Sequence, residues 1–308
     1  MRSRIIGICI SMFVWSALYS QNQTQATLLE DAYQKQSETL LYKFFDNWGN
    51  DVSSNENEAD NQWVAEAYKV FKAFYQPLHL ERIGCGDEYY EELYKDKPYF
   101  IVQGTLYEIC VTESIPFGND ELEAYYRKRI KQMYDREDDR NKMMESLQKM
   151  LEMKYIYADY KKEETINDGD WMAIPITLVD SQIDFRPLVA FRDKTIVYMS
   201  KQYELMLNNF LGDEHVDLGE EEIMQTAYAK EDSAERKRFL EKAARIFYGH
   251  WGGYWQYETY PEASSIIFDS AMGRAVVLFR IVYEGGEVYM EKRDGEWIIV
   301  SGRLTWIE

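Results

Sequence analysis

The sequence predicts an α+β fold, with helices packed on curved antiparallel sheets, and three features carry that prediction. The last 35 residues alternate β-rich runs with Gly285-Gly286 and Asp294-Gly295, dipeptides that tolerate the positive φ of tight hairpins. Several upstream segments place apolar residues three and four apart, the period of a helix with one buried face. Hydrophobic residues make up 46% of the 308-residue chain and charged residues 29%, a balance that suits a folded protein with a sizeable core.

The chain begins Met1-Arg2-Ser3-Arg4 and continues uncharged from Ile5 to Leu18 before turning polar. A basic start, a short apolar core and a small residue before a polar stretch predict a signal peptide over 1–20. The apolar run is shorter than the roughly 20 residues that a membrane span needs, so no span is expected after its removal. Export to the periplasm or the extracellular space follows. The formal charge is −19, and −21 without Arg2 and Arg4, which excludes nucleic acid and anionic membrane surfaces as natural partners.

A first helix is predicted over 28–48, with Leu29, Tyr33, Leu40, Leu41, Phe44 and Phe45 on its apolar face and Gly49 as its stop. Val64, Tyr68, Phe71 and Tyr75 predict a second, ended before Pro77. Residues 99–112 read as strand interrupted by Gly104. A long charged helical segment is predicted over 119–153, with an Asp120…Glu123 capping pair and a fully charged middle that marks a solvated face or a break. Strands follow at 171–179, where Pro175 suggests a sheet edge, and at 195–199. Ser200 caps a helix that Gly212 closes. An Asp232…Glu235 capping pair opens a further helix with Phe239, Leu240, Ala243, Ala244 and Phe247 on its apolar side.

A strand at 264–268 leads into the meander. In its last run Ile298, Val300, Leu304 and Trp306 fall on one face, and Gly302 is the expected bend. The run from Ala275 to Tyr283 is apolar almost throughout and is broken by Arg280. The chain divides into an N-terminal α/β unit over 28–212 and a cup-like α+β unit over 217–308.

A helix, an aromatic turn and a four-strand meander with Gly285-Gly286-Glu287, Asp294-Gly295-Glu296-Trp297 and a late Trp306 resemble the C-terminal part of nuclear transport factor 2-like (cystatin-like) domains. Uncharacterised exported bacterial proteins with such an ending look similar. The resemblance covers 232–308. It implies a sheet curved around a helix to form a cup, a shape that serves isomerases, dehydratases, hydrolases and non-catalytic binding proteins alike. The catalytic Asp/His and Tyr/Asp pairs of the enzyme branches have no residue-by-residue match here.

Metal and cofactor signatures are missing from the sequence: His79, His215 and His250 lack ligand spacing, and no Walker, dinucleotide or nucleophile-elbow motif occurs. Cys85 and Cys110 could pair in an oxidising compartment or remain two separate buried residues. The aromatic cluster Trp251, Tyr254, Trp255, Tyr257 and Tyr260 could stack on a glycan, a small molecule or a protein, or it could fill the core. His250 with Glu258, Asp269 or Arg303 would be the acid-base set of a small hydrolase or isomerase. The favoured expectation is non-catalytic binding.

Overall fold

A six-stranded mixed sheet carries the molecule. The computed structural model describes residues 24–86, 92–133, 135–152, 174–212, 232–248 and 255–307. In these the helices are α1 (24–34), α2 (Glu38–Asp51), α3 (Gln62–Phe74), α4 (Gly118–Met133), α5 (Glu137–Glu152), α6 (Lys201–Leu211) and α7 (Ser233–Leu240). The strands are β1 (Tyr99–Val102), β2 (Thr105–Thr112), β3 (Thr177–Asp184), β4 (Thr195–Tyr198), β5 (Phe247–Tyr248), β6 (Trp255–Gln256), β7 (Glu262–Asp269), β8 (Arg274–Ile281), β9 (Glu284–Arg293) and β10 (Glu296–Ile307). The α+β class is therefore observed. Among the described residues no helix is long and apolar enough to cross a membrane. The proposed signal peptide and the segment 213–219 lie outside the described residues.

The sheet order is β10-β9-β8-β7-β2-β3, so the predicted meander is present and continues through a parallel β7–β2 pair into β3. One sheet thus takes strands from both stretches that the sequence divides. The break at Gly104 separates β2 from β1, which instead pairs in parallel with β4 as a second, two-stranded sheet. A Cβ at Gly104 would lie 1.8 Å from the Met199 carbonyl oxygen, so the close pass of the two chains needs glycine there.

The β1–β4 pair divides two cores. Phe100, Val102 and Tyr198 point into the core beneath the large sheet, with α3, Ile266, Phe279 and Val288. Tyr99, Ile101 and Val197 point the other way, toward α1, α2, α6, α7, Trp255 and Tyr257. Period-two alternation with both sides apolar is what a parallel pair buried on both faces requires. Trp48 anchors the second core, stacked on Tyr203 at 4.4 Å between ring centroids and donating from Nε1 to the Tyr198 carbonyl at 2.9 Å.

Several local expectations change. The run 28–48 is two helices, because Gln36 takes a left-handed φ of 49° and Ser37 caps α2, which passes through Gly49 to Asp51. Residues 119–153 likewise form two helices, and the charged middle falls between and at the start of the second. Glu121, not Asp120, accepts from the backbone at the start of α4 (Phe117 N, 2.9 Å). Asp232 makes no side-chain cap, because Arg236 takes its carboxylate at 2.9 Å. The helix behind it stops at Leu240, and Phe247 is in a strand. Strand β3 starts at Thr177, past Pro175, and does lie at a sheet edge.

The Gly285-Gly286 pair is not a turn. The chain reverses at Val282-Tyr283, with Val282 at φ 51°, and both glycines lie inside β9. A Cβ at Gly286 would lie 2.3 Å from the Arg303 carbonyl oxygen and 2.7 Å from the Phe279 ring, so this glycine makes room for the β10 backbone and a core aromatic. The Asp294-Gly295 turn has positive φ at both residues, as expected. β10 has two register shifts: Thr305 is extra between Leu304 and Trp306, and Val300 is bulged between Ile299 and Ser301, while Gly302 stays in register. The bulge changes the phase: Trp297 and Ile299 share the core side with Leu304, and Val300 is exposed.

Trp297 also donates from Nε1 to Glu66 at 2.9 Å, and Glu66 accepts from Lys292 at 2.8 Å and Lys69 at 2.7 Å. Burial opposes ionisation of Glu66, but the hydrogen bonds from Lys292, Lys69 and Trp297 outweigh it and pull the carboxyl down to about 2. This network ties α3 to the last two strands.

Candidate functional site

The two faces of the large sheet differ in chemistry. One is wholly spent on the core under α3. On the other, strand register lines up Glu108 (β2), Ser265 (β7), Leu278 (β8), Glu287 (β9) and Arg303 (β10) in a single row across five strands. The next row toward the start of β7 sets Glu262 opposite Arg280. On the other side of the polar row, Cys110, Ile267 and Val276 are covered by Ile115 and Ile176. The polar band is thus bounded by an apolar patch.

Glu287 is buried and accepts from Arg303 Nη2 at 3.0 Å and from the Tyr289 hydroxyl at 2.8 Å. Arg303 is therefore a sheet-face residue paired with a glutamate that sequence reasoning passed over. Asp269 does different work: its Oδ1 accepts from Gly273 N at 2.7 Å and Arg274 N at 3.0 Å, closing the β7–β8 turn. It lies seven residues along β7 from Glu262, which at about 3.3 Å per residue separates them by more than about 20 Å.

The segment from Gln256 to Glu262 is held on both sides. Thr259 exchanges bonds with Ile101, donating from its own N at 2.7 Å and accepting at Oγ1 from Ile101 N at 3.0 Å. The Thr259 carbonyl accepts from the Tyr75 hydroxyl at 3.0 Å. Tyr257 donates its hydroxyl to Asn208 of α6, and Tyr260 donates its own to Gln256 at 2.5 Å. These bonds fix the backbone from which Glu258 and Glu262 project.

Glu204 lies one helical turn before Asn208, so the two share a face of α6 and Glu204 is presented to the same segment. Glu204, Glu258, Glu262 and Arg280 influence one another electrostatically there, as the three glutamates do Tyr107 of β2, which is 53% exposed. Glu258 and Glu262 each keep part of their surface at solvent although protein closes around them, as on a crevice wall. Burial raises both carboxyls above the usual carboxylate range. The charge of Glu204 adds to this at Glu258, as does that of Glu258 at Glu262, and Arg280 opposes it at both. The Tyr107 phenol is raised by desolvation and then by Glu262, Glu258 and Glu204.

The aromatic cluster read from the sequence is largely structural where it is described. Trp255, Tyr257 and Tyr260 are 7%, 2% and 1% exposed, and their rings belong to the two cores, which leaves no open face for stacking on a glycan. Trp251, Tyr254 and His250 lie outside the described residues. Cys85 and Cys110 are buried thiols in different clusters, so the bridge weighed from the sequence is not formed. Burial raises the Cys85 thiol to about 12, which leaves it unreactive. Among the described residues no three His, Cys, Asp or Glu side chains are grouped as a metal site.

Glu204, Glu262 and Tyr107 were not singled out from the sequence, and Arg280 was read only as a break in an apolar run. One signal was available: Arg280 is the charged break in an apolar run, and such a break marks the strand position where a face turns polar. Comparison of the chain with protein-family models, with curated proteins and with solved structures finds no match in any of the three.

Proposed function

We propose that this chain is an exported, non-catalytic binding protein that takes an organic cation, such as a polyamine or a basic peptide side chain, at the crevice of Glu204, Glu258 and Glu262. The observation that carries this reading is the half-exposed Tyr107, within the electrostatic reach of three glutamates that Arg280 opposes. An aromatic face and carboxylates together hold an ammonium or guanidinium group through cation–π attraction and charge-assisted hydrogen bonds. A chain of charge −19 also draws cations toward it. The basic, then uncharged, start over 1–20 supports export. The cup-like fold of the resemblance supports a pocket, but here the buried Trp255, Tyr257 and Tyr260 direct it toward the polar sheet face.

Calorimetric titration with spermidine and with a short Arg-Lys peptide tests the reading on exported chain, whose mass also reports whether 1–20 has been removed. Tyr107→Ala and Glu262→Gln are each expected to weaken binding about tenfold, while Val300→Ala leaves it unchanged. Binding of neutral oligosaccharides with no response to either cation would overturn it. A hydrolase or isomerase at the same place has one observation in its favour: burial raises the carboxyls of Glu258 and Glu262 above the usual carboxylate range, the direction that suits a general acid.

A further inference from the structure

We propose that Met143 and Met144 are a modification site, a latch that holds α5 on α4 and opens when a peroxide-class oxidant converts the two thioethers to sulfoxides. The two helices form a hairpin with a small core of its own. Tyr126 and Ile130 of α4 and Leu147 of α5 are buried in it, with Leu122, Tyr125, Met143 and Met144 packed around them. Positions 143, 144 and 147 share one face of a helix, so among its described side chains α5 meets α4 through two methionines and one leucine. On the other side of the hairpin α4 is tied to the large sheet. Glu121 accepts from both terminal nitrogens of Arg274, whose guanidinium lies over the Phe117 ring at 4.3 Å.

Both methionines are half-buried, so they keep surface at solvent while taking part in the packing. Met199, Met206 and Met290 are instead buried in the two larger cores. Arg127, paired with Glu123 one turn earlier on α4, also donates from Nη1 to the Met144 sulfur at 3.8 Å. A guanidinium at that place favours the negative charge that develops on a departing peroxide oxygen. In the step itself the sulfur lone pair attacks one peroxide oxygen and the O–O bond breaks. The second oxygen leaves as hydroxide, takes the proton of the attacked oxygen and becomes water. Sulfur is oxidised by two electrons and the peroxide is reduced by two.

Sulfoxidation turns a flexible apolar side chain into a polar one. In a core this small, that change removes much of what α5 packs against α4. Helix α5 has 16 residues, close to the length below which an isolated helix is marginal in water, so its packed face decides whether it forms. Opening uncovers Tyr126, Ile130 and Leu147, an apolar surface that the reduced chain keeps covered. Glu121 and Arg274 keep the start of α4 on the sheet, so the loss of order falls first on α5. A methionine sulfoxide reductase restores the thioethers and with them the contact.

The test treats the full chain with hydrogen peroxide, locates the sulfoxides by peptide mass spectrometry and follows hydrogen exchange over 118–133 and 137–147. Met143 and Met144 are expected to oxidise alongside Met272, which is half-buried between β7 and β8, while Met199, Met206 and Met290 stay reduced. Protection over 137–147 should then fall about fivefold or more, further than over 118–133, and recover on treatment with the reductase. Met143→Leu/Met144→Leu keeps the apolar volume and is expected to hold its protection in peroxide, whereas Met272→Leu should lose it as wild type does. Thioethers intact at 143 and 144 when Met272 is fully oxidised, sulfoxides there with unchanged protection, or an equal loss in the double variant would each overturn the latch. Where the double variant does not fold, the wild-type time course decides: protection over 137–147 falls in step with sulfoxide at 143 and 144, and a fall that tracks another methionine overturns it.

Discussion

Gly302→Ala is expected to destabilise the fold by about 3 kcal/mol or more, although it adds a single methyl group. The reason is backbone against backbone. A Cβ at Gly302 would stand 2.4 Å from the Ile83 carbonyl carbon and 2.5 Å from its oxygen. Gly84, at φ 95°, closes the same contact from the other side, 2.7 Å from the Gly302 oxygen by the same measure. No side-chain rotation relieves such an overlap, so either β10 or the 80–83 turn must move, and both pack on the core under α3. Denaturant melts of Gly302→Ala beside Val300→Ala separate this from a general sensitivity of β10, since Val300 is 42% exposed and its truncation should cost under about 0.5 kcal/mol. Equal, small losses for both would mean that β10 does not lie on that turn.

Trp48→Ala should remove about 3–5 kcal/mol. Its indole is fully buried, lies parallel to Tyr203 within 5° and packs against Phe44 and Phe45. Its N–H is the partner of the Tyr198 carbonyl, so truncation both opens a cavity and frees a buried acceptor. Trp48→Phe, which keeps a ring and loses the donor, is expected to cost about half as much. Because Leu29, Tyr99, Phe239 and Trp255 line the same core, the Ala variant should melt the stretches 28–212 and 217–308 together. Two separate transitions would show that the core does not join them.

The fold was legible where a local rule decides. Gly104 as a break, Ser200 and Gly212 as the two ends of α6, and Asp294-Gly295 as a hairpin turn each answer to a backbone demand visible within a few residues. It was illegible where partners are remote. Nothing near Glu108 announces that it will pair with Ser265 in parallel, more than a hundred residues on. Gly285-Gly286 looks like a turn because glycine suits both positive φ and close approach, and only the positions of Phe279 and the Arg303 carbonyl distinguish the two. The Val300 bulge reversed the faces assigned to half of β10.

The same holds for the crevice. Glu258 was noticed for its nearness to His250, yet its neighbours in space come from α6, β2 and β8. Aromatic residues next to Glu258 drew attention as ligand-stacking groups, while burial claims Trp255, Tyr257 and Tyr260 and leaves Tyr107 in the open. Composition signals burial and binding with the same residue types, so the exposure of each ring has to come from the structure.

The carboxyl groups of Glu258 and Glu262 can be watched directly by carbon-13 NMR titration of glutamate-labelled chain, assigned with Glu258→Gln and Glu262→Gln, without and with spermidine. The crevice account predicts that both titrate above the usual glutamate range in the free protein and at lower pH once the cation is present, because a bound positive charge favours the ionised carboxyls. Two ordinary glutamate titrations, unmoved by the cation, would contradict it.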